Sequence, residues 1–307
     1  MALHLPARLS MPIAVSALAL VSMACVNAHA QDESAYARKA SKPLPDGGPA
    51  PRLADGHPDL SGHWYVGLLG KEDATLNGGG FGGDPLQRPF DPKVTPEEKP
   101  AFQPWAAEKI KQLNLNAPAG AYDKLPKDQK IAILKNEILH LSQNCMPHGV
   151  PGNFDAGHGV QLVQTPGLLV QLIEQNHDFR VVPTDGRPHT KDPDPSFNGE
   201  GIGHWEGDTL VIDTIAIDER AWVTPRWTFH SPREHVIQRI SRPSMNYLNY
   251  QVTVEDPGVL TKPWTTVIHH FSLSHEPLLE WYCGVGSHDD EDIAGMKDEL
   301  KKLEATK

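Results

Sequence analysis

A chain of 307 residues with 28 Lys and Arg against 39 Asp and Glu carries a formal charge of −11 at pH 7. That balance weighs against nucleic acid and anionic membrane surfaces as partners, since both are bound through an excess of Lys and Arg that displaces counterions. A hydrophobic fraction of 39% supports a real core, and the length allows one large domain or one domain with appendages.

Residues 1–30 read as a secretory signal peptide. Arg8 precedes an apolar run from Pro12 to Ala24 that is too short to span a bilayer, and Ala28-His29-Ala30 offers a small-x-small cleavage site. Cleavage after Ala30 takes one Arg and no acid, leaving −12. Lipidation of Cys25 is the alternative, against which Ser22 stands where a lipobox carries a larger aliphatic residue. No later stretch is long and apolar enough for a transmembrane segment, so the mature protein is expected to be periplasmic or secreted. Export leaves Cys145 and Cys283 as the remaining cysteines. In an oxidising compartment such a pair reads as one disulfide, contributing about 4 to 5 kcal/mol in the chain-entropy model, less any native strain. Two buried free thiols are the other reading. The disulfide predicts a mass shift on alkylation only after reduction; two thiols alkylated without reductant would rule it out.

Residues 31–57, rich in Pro and Gly and poor in aliphatics, predict a flexible arm. Structure is expected to begin with a short strand in Pro58 to Val66. Asn77 to Asp84, with five glycines, lacks the Lys-Ser/Thr ending of a phosphate-binding loop and reads as a mobile loop or lid. A helical insertion near 96–141 follows, with helices at about 96–113 and 126–141. In the second, Ile131, Leu134, Ile138 and Leu141 form an apolar stripe that must pack on something, the following sheet being the expected target.

From Val160 the pattern turns to strands: 161–164 and 168–173 around the turn Thr165-Pro166-Gly167, then 179–182, 202–205, 210–217, 227–229, 235–241, 247–255, 264–271 and 278–282. Glu206-Gly207-Asp208 between two of these is a tight hairpin signal. Consecutive strands without intervening helices predict a mainly β fold, an antiparallel meander closing as a barrel or sandwich with peripheral α-helices. The β-rich domain is expected over 58–288 and a docked C-terminal helix over 289–307, acidic at its N-terminus. No internal repeat is present.

The densest ionisable cluster is Arg180, Thr184-Asp185-Gly186-Arg187-Pro188-His189, and the hairpin acids Glu206 and Asp208. A His beside a carboxylate can act as general acid/base, and an Arg can bind an anionic or carbonyl oxygen. His189 is the expected acid/base, Asp185 its orienting partner and Glu206 the second carboxylate. Arg180, Arg187, Arg239, Asp208 and Trp205 are the expected substrate-binding groups. Equally, Asp185 can cap its turn, Arg187 can pair with Glu206 or Asp208, and His189 can be solvated. Glu174, His235, Arg239 and Arg242 form a second polar set; His235 and Arg239 share one strand face, which points either into a pocket or outward.

Cys145-x-x-His148 is half a zinc spacing, and no second half accompanies it, so no metal is expected. There is no Gly-x-Ser-x-Gly elbow. Trp64, Trp205, Trp227, Trp264 and Trp281 read as barrel core or as the lining of a ligand cavity. Three readings stand: an exported binder of a small molecule in a barrel pocket, a hydrolase, lyase or isomerase with no organic cofactor, and an envelope interaction module.

Gly62-x-Trp64 resembles the first strand of lipocalin-like barrels, in which a Trp plugs one end. Pro58-Asp59-Leu60-Ser61-Gly62-x-Trp64, Cys145-x-Pro147-x-Gly149-x-Pro151, Thr184-Asp185-Gly186-Arg187-Pro188-His189, Trp205-Glu206-Gly207-Asp208-Thr209-Leu210-Val211-x-Asp213, Asp256-Pro257 with Lys262-Pro263-Trp264, and Glu280-x-x-Cys283 together resemble a family of exported bacterial proteins with no assigned reaction. The resemblance spans Pro58 to Cys283 and implies export and domain boundaries rather than chemistry. The chain departs from it at Gln238, where the family tends to carry Glu, and at Gly284-Val285, where it tends to carry His-Glu. If those groups are catalytic in relatives, their activity is lost or changed here.

Overall fold

The computed structural model describes residues 44–66, 99–112, 125–142, 147–154, 159–174, 177–223, 229–266, 268–275, 277–278 and 288–305. They belong to one compact unit, Lys42–Lys307. Cys145, Cys283, Trp227, Trp281 and the glycine loop at 77–84 lie outside the described residues.

Period-two alternation builds ten strands: β1 (Gly62–Val66), β2 (Val160–Thr165), β3 (Leu168–Ile173), β4 (Asp178–Pro183), β5 (Glu200–Glu206), β6 (Thr209–Ile215), β7 (His235–Ser244), β8 (Tyr247–Glu255), β9 (Trp264–Thr265) and β10 (His269–Ser274). In β8, Leu248, Tyr250, Val252 and Val254 are buried and the residues between them are half-buried. The same parity buries Val236, Gln238 and Ile240 of β7, so His235 and Arg239 face outward. The run expected as one strand over 264–271 divides into β9 and β10. Phe229 and Leu278 carry no strand, and most of the strands expected around them lies outside the described residues.

The strands form one antiparallel sheet in the order β4-β3-β2-β1-β10-β8-β7-β6-β5, with β9 added beside β8. The terminal strands of this path, β4 and β5, are consecutive in sequence and return beside one another, giving a nearly closed barrel. No strand ladder joins them; the Gly186 N–H donates to the Gly203 carbonyl at 2.9 Å, and Asn198 Nδ2 donates to the Phe179 carbonyl at 3.3 Å. The seam is thus held by the 184–199 loop and by side chains.

Inward-facing residues fill the barrel. Trp64, Leu162, Leu210, Ile240, Tyr250 and Phe271 have almost no exposed surface, and Phe154 stacks on Tyr250 with ring centroids 4.1 Å apart. Trp64 is fully buried in the core, and its Nε1–H donates to the Leu60 carbonyl at 3.0 Å. The Arg242 guanidinium lies 4.8 Å above that ring and donates to the carbonyls of Asp59, Ser61 and Met245 at 2.5, 3.2 and 2.6 Å. Position 62 must be Gly because a Cβ there would sit 2.8 Å from Leu273 and 3.1 Å from the Trp64 ring.

From Leu44 onward the expected flexible arm is tied to the barrel. Asn246 Nδ2 donates to the Pro45 carbonyl at 2.8 Å, Met245 N to Gly48 O at 2.9 Å, and the Tyr247 hydroxyl to Leu44 O. The arm offers little aliphatic side chain to bury, but its backbone carbonyls are used as acceptors.

Helix α1 (Pro104–Gln112) starts at a proline, which suits a first helical position, whereas residues 99–103 before it are non-helical. Ala106 and Ile110 are its buried side, and Trp105 Nε1 donates to the Gly258 carbonyl at 3.0 Å. Helices α2 (Lys127–Ser142) and α3 (His288–Ala305) pack chiefly on one another, with Lys135 and Glu304 paired at 2.8 Å, rather than each chiefly on the sheet as their stripes suggested.

Candidate functional site

His189 emerges from the loop between β4 and β5 and lands on the outer face of β5 and β6. Its Nδ1 meets Glu200 Oε2 at 2.9 Å, and its Nε2 meets Asp213 Oδ1 at 2.8 Å. The other Asp213 oxygen meets His235 Nε2 at 2.8 Å, and His235 Nδ1 meets Glu255 Oε2 at 3.0 Å. Four adjacent strands and one loop therefore carry an unbroken row: Glu200, His189, Asp213, His235, Glu255. Register explains it: His235 lies directly opposite Glu255, and Asp213 opposite Ile237, which places Asp213 diagonal to His235 on the same outward face. Each ring satisfies both contacts only with a proton on both nitrogens.

The row tunes its own members. Burial lowers the His235 pKa, but hydrogen bonds and charge from Asp213 and Glu255 outweigh it and hold the imidazole above its ordinary value. Burial raises Asp213, but hydrogen bonds from His189 and His235 hold it below the carboxylate range. Glu200 behaves likewise, its opposing bonds coming from Thr190 and His189. Thr190 supplies both its N–H, at 3.0 Å, and its hydroxyl, at 2.8 Å.

The expected partners of His189 are elsewhere. Asp185 accepts from Arg187 Nε and Nη2 at 2.9 and 2.6 Å, bonds that pull its pKa down to about 2. Glu206 accepts from Arg239 Nη2 at 2.8 Å, and Asp208 is forked by Arg52 at 2.9 and 2.6 Å. Glu200 and Glu206 are six residues apart on β5, about 20 Å at strand rise, so Glu206 shares no site with His189. Trp205 stacks on His57, with centroids 4.4 Å apart. The turn of the hairpin is thus a set of exposed ion pairs, while the loop that begins at Thr184 runs beside Gly203 and away from that turn. Glu200, Asp213 and Glu255 are the site residues that the sequence reading did not mark.

A cleft of about 390 Å³ lies over the seam. Val181 and Pro183 form one wall, Gly199 to Ile202 the other, and Arg187, Thr190 and Ser196 of the loop its rim. Behind Gly201, on the inside of the barrel, lies Arg180. Its Nη1 donates to Gln238 Oε1 at 2.7 Å and its Nη2 to Thr214 Oγ1 at 2.6 Å, while Gln238 Nε2 donates to the Tyr250 hydroxyl at 2.7 Å. Burial lowers the guanidinium pKa to about 10, which leaves it charged at neutral pH. A Cβ on residue 201 would lie 2.2 Å from Nη2, so only glycine lets Arg180 cross under β5. Arg180, Gln238 and Thr214 belong together only because the barrel closes.

Among the described residues, no group of three or more His, Cys, Asp or Glu side chains is arranged to hold a metal ion, and no helix is long and apolar enough to cross a membrane. No family model, curated protein or solved structure matches the chain.

Proposed function

We propose that this is an exported protein that binds a small molecule at the seam of its barrel. The reading is carried by one observation: the cleft lies over the gap in the sheet ladder between β4 and β5, with a buried cation immediately behind its wall. Ligand sites favour concave places where a few polar groups converge on an apolar wall, and here Val181, Pro183 and Ile202 are met by Arg187, Thr190 and Glu200. The filled interior argues for the seam rather than the lumen as the binding place. Export rests on the leader pattern of residues 1–30.

Thermal shift and native mass spectrometry of the mature protein against a broad panel of small metabolites test the reading. A subset is expected to raise Tm and to appear bound at unit stoichiometry. Val181→Trp, which fills the cleft from an exposed position, is expected to weaken them at least tenfold. A flat response to the whole panel overturns the proposal.

A second reading has its own observation. Glu200 borders the cleft and is held from behind by His189, an arrangement that suits acid-base chemistry with Glu200, not His189, facing the substrate. Both His189 nitrogens are occupied by carboxylates. If turnover of any bound compound is found, Glu200→Gln is expected to abolish it with binding retained, and full turnover in that variant rejects this role.

A further inference from the structure

Arg180 is 4% exposed and has no carboxylate within ion-pair distance among the described residues. Its two bonded partners, Gln238 and Thr214, are neutral. The acid that acts on it through space, Asp178, gives both oxygens to Asn198 Nδ2, at 3.1 Å each. The Arg180 Nε–H has no hydrogen-bond partner. Directly opposite Arg180 in the β3–β4 register stands Gln171, fully buried, with neither Nε2 nor Oε1 bonded. Buried polar groups are almost always paired, and a buried charge even more so. Two adjacent inward side chains that break this rule together, beside a gap in the sheet, mark a place built for something else.

The geometry points to an oxoanion site: we infer that Arg180 and Gln171 anchor the carboxylate of a small organic acid whose body lies in the seam cleft. This rests on the binding role proposed above and names its ligand class. The Nε–H belongs to the edge of the guanidinium that pairs side-on with the two oxygens of a carboxylate. The Gln171 amide adds two further donors, and its carbonyl can accept from a hydroxyl beside the carboxylate. The missing ladder between β4 and β5 is the approach from the cleft to the cation, and only the Gly201 backbone stands between the cleft wall and the guanidinium, which fills the space a Cβ there would take. A neutral ligand would leave the charge uncompensated; a carboxylate compensates it where the dielectric is low.

The test compares small carboxylates (acetate, lactate, succinate, benzoate) with their amides and with inorganic phosphate and sulfate, at constant ionic strength, on the mature protein. At about a hundred times Kd a carboxylate is expected to raise Tm by roughly 5–10 °C, with the matching amide at least tenfold weaker. Gln171→Leu keeps the shape and removes the unpartnered amide, so its ligand-free Tm is expected to equal or exceed that of the wild type while the carboxylate response falls at least tenfold. Gly201→Ala, which displaces the guanidinium, is expected to lose the response as well. If amides and acids act alike, or Gln171→Leu responds as the wild type does, the anion anchor is overturned while the binding role stands. A response to phosphate or sulfate alone overturns the organic acid. Silence from every carboxylate overturns the inference, and silence from the broad panel overturns the binding role too.

Discussion

Trp64→Ala is expected to lower stability by about 3–5 kcal/mol, the range for deleting a buried aromatic ring. At about 2–4 °C per kcal/mol for a domain of this size, Tm falls on the order of 10 °C. The ring is fully buried in the core, with Val160 of β2 directly opposite in the register, so its removal leaves a cavity that cannot collapse without moving β1 against β2. It also strips Arg242 of the surface beneath its guanidinium, leaving the cation held by the carbonyls of Asp59, Ser61, Ser244 and Met245. Trp64→Phe retains most of the apolar contact and loses the Nε1–H bond to Leu60, for about 1 kcal/mol. A double-mutant cycle with Arg242→Ala, followed by chemical denaturation, measures the coupling between the ring and the guanidinium above it. Additive effects would show that Arg242 serves the loop carbonyls only, and a Trp64→Ala Tm within two or three degrees of wild type would contradict a core role for the ring.

The burial of Trp64 was legible because its setting is local. Gly62 and Trp64 lie two residues apart, and the packing of Leu273 against Gly62 follows from the β1–β10 register. Arg242 was not assigned to it, because the carbonyls it meets, those of Asp59 and Ser61, lie 183 and 181 residues away in sequence. The alternation of β8 was equally legible, since its apolar residues fall on one parity. In β7 the segment Val236-Ile237-Gln238 places an aliphatic residue on each face and a polar one inside, so parity could not decide where His235 and Arg239 point. The structure decides it through the neighbours, Ile212 and Val252 lying opposite Gln238.

The candidate site was half legible. His189 was singled out because it ends a turn motif rich in charge, but its sequence neighbour Asp185 is taken by Arg187, two residues away on the same loop. Its true partners come from strands, one 11 and one 24 residues distant. Asp213 carried a usable signal: the one charged residue, at an outward position, in a strand otherwise made of Thr, Leu, Val and Ile. Glu200 carried none, since nothing local distinguishes the first residue of β5 from a loop acid. The Arg180 arrangement depends on closure of the whole sheet, a property of topology that no window of sequence contains.

The row of acids and imidazoles yields the second large effect, in Asp213→Asn. Asp213 is the only member that serves two rings, His189 and His235. An Asn keeps one acceptor oxygen and turns a donor toward the other ring, so one contact is lost and one N–H faces another. With Asp213 about a third exposed, solvent screening reduces the cost to about 1–3 kcal/mol. The pH dependence separates this from an ordinary surface change. His235 is held above its ordinary pKa, so its contribution is complete below about pH 6.5 and is lost as pH rises through its higher folded value. Asp213 and Glu200 are held below theirs, so their contribution is complete above about pH 4–4.5 and is lost as pH falls through their lower folded values. Between those limits both contributions are present; above them His235 releases its share of the row. In Asp213→Asn the His235 pKa falls back toward the ordinary imidazole value, moving the alkaline limb of the Tm profile to lower pH and flattening the acid limb. Calorimetry from pH 4 to pH 9 reads both limbs. A variant profile displaced uniformly, with its limbs unmoved, would mean that the row is packing alone and carries no linked protons.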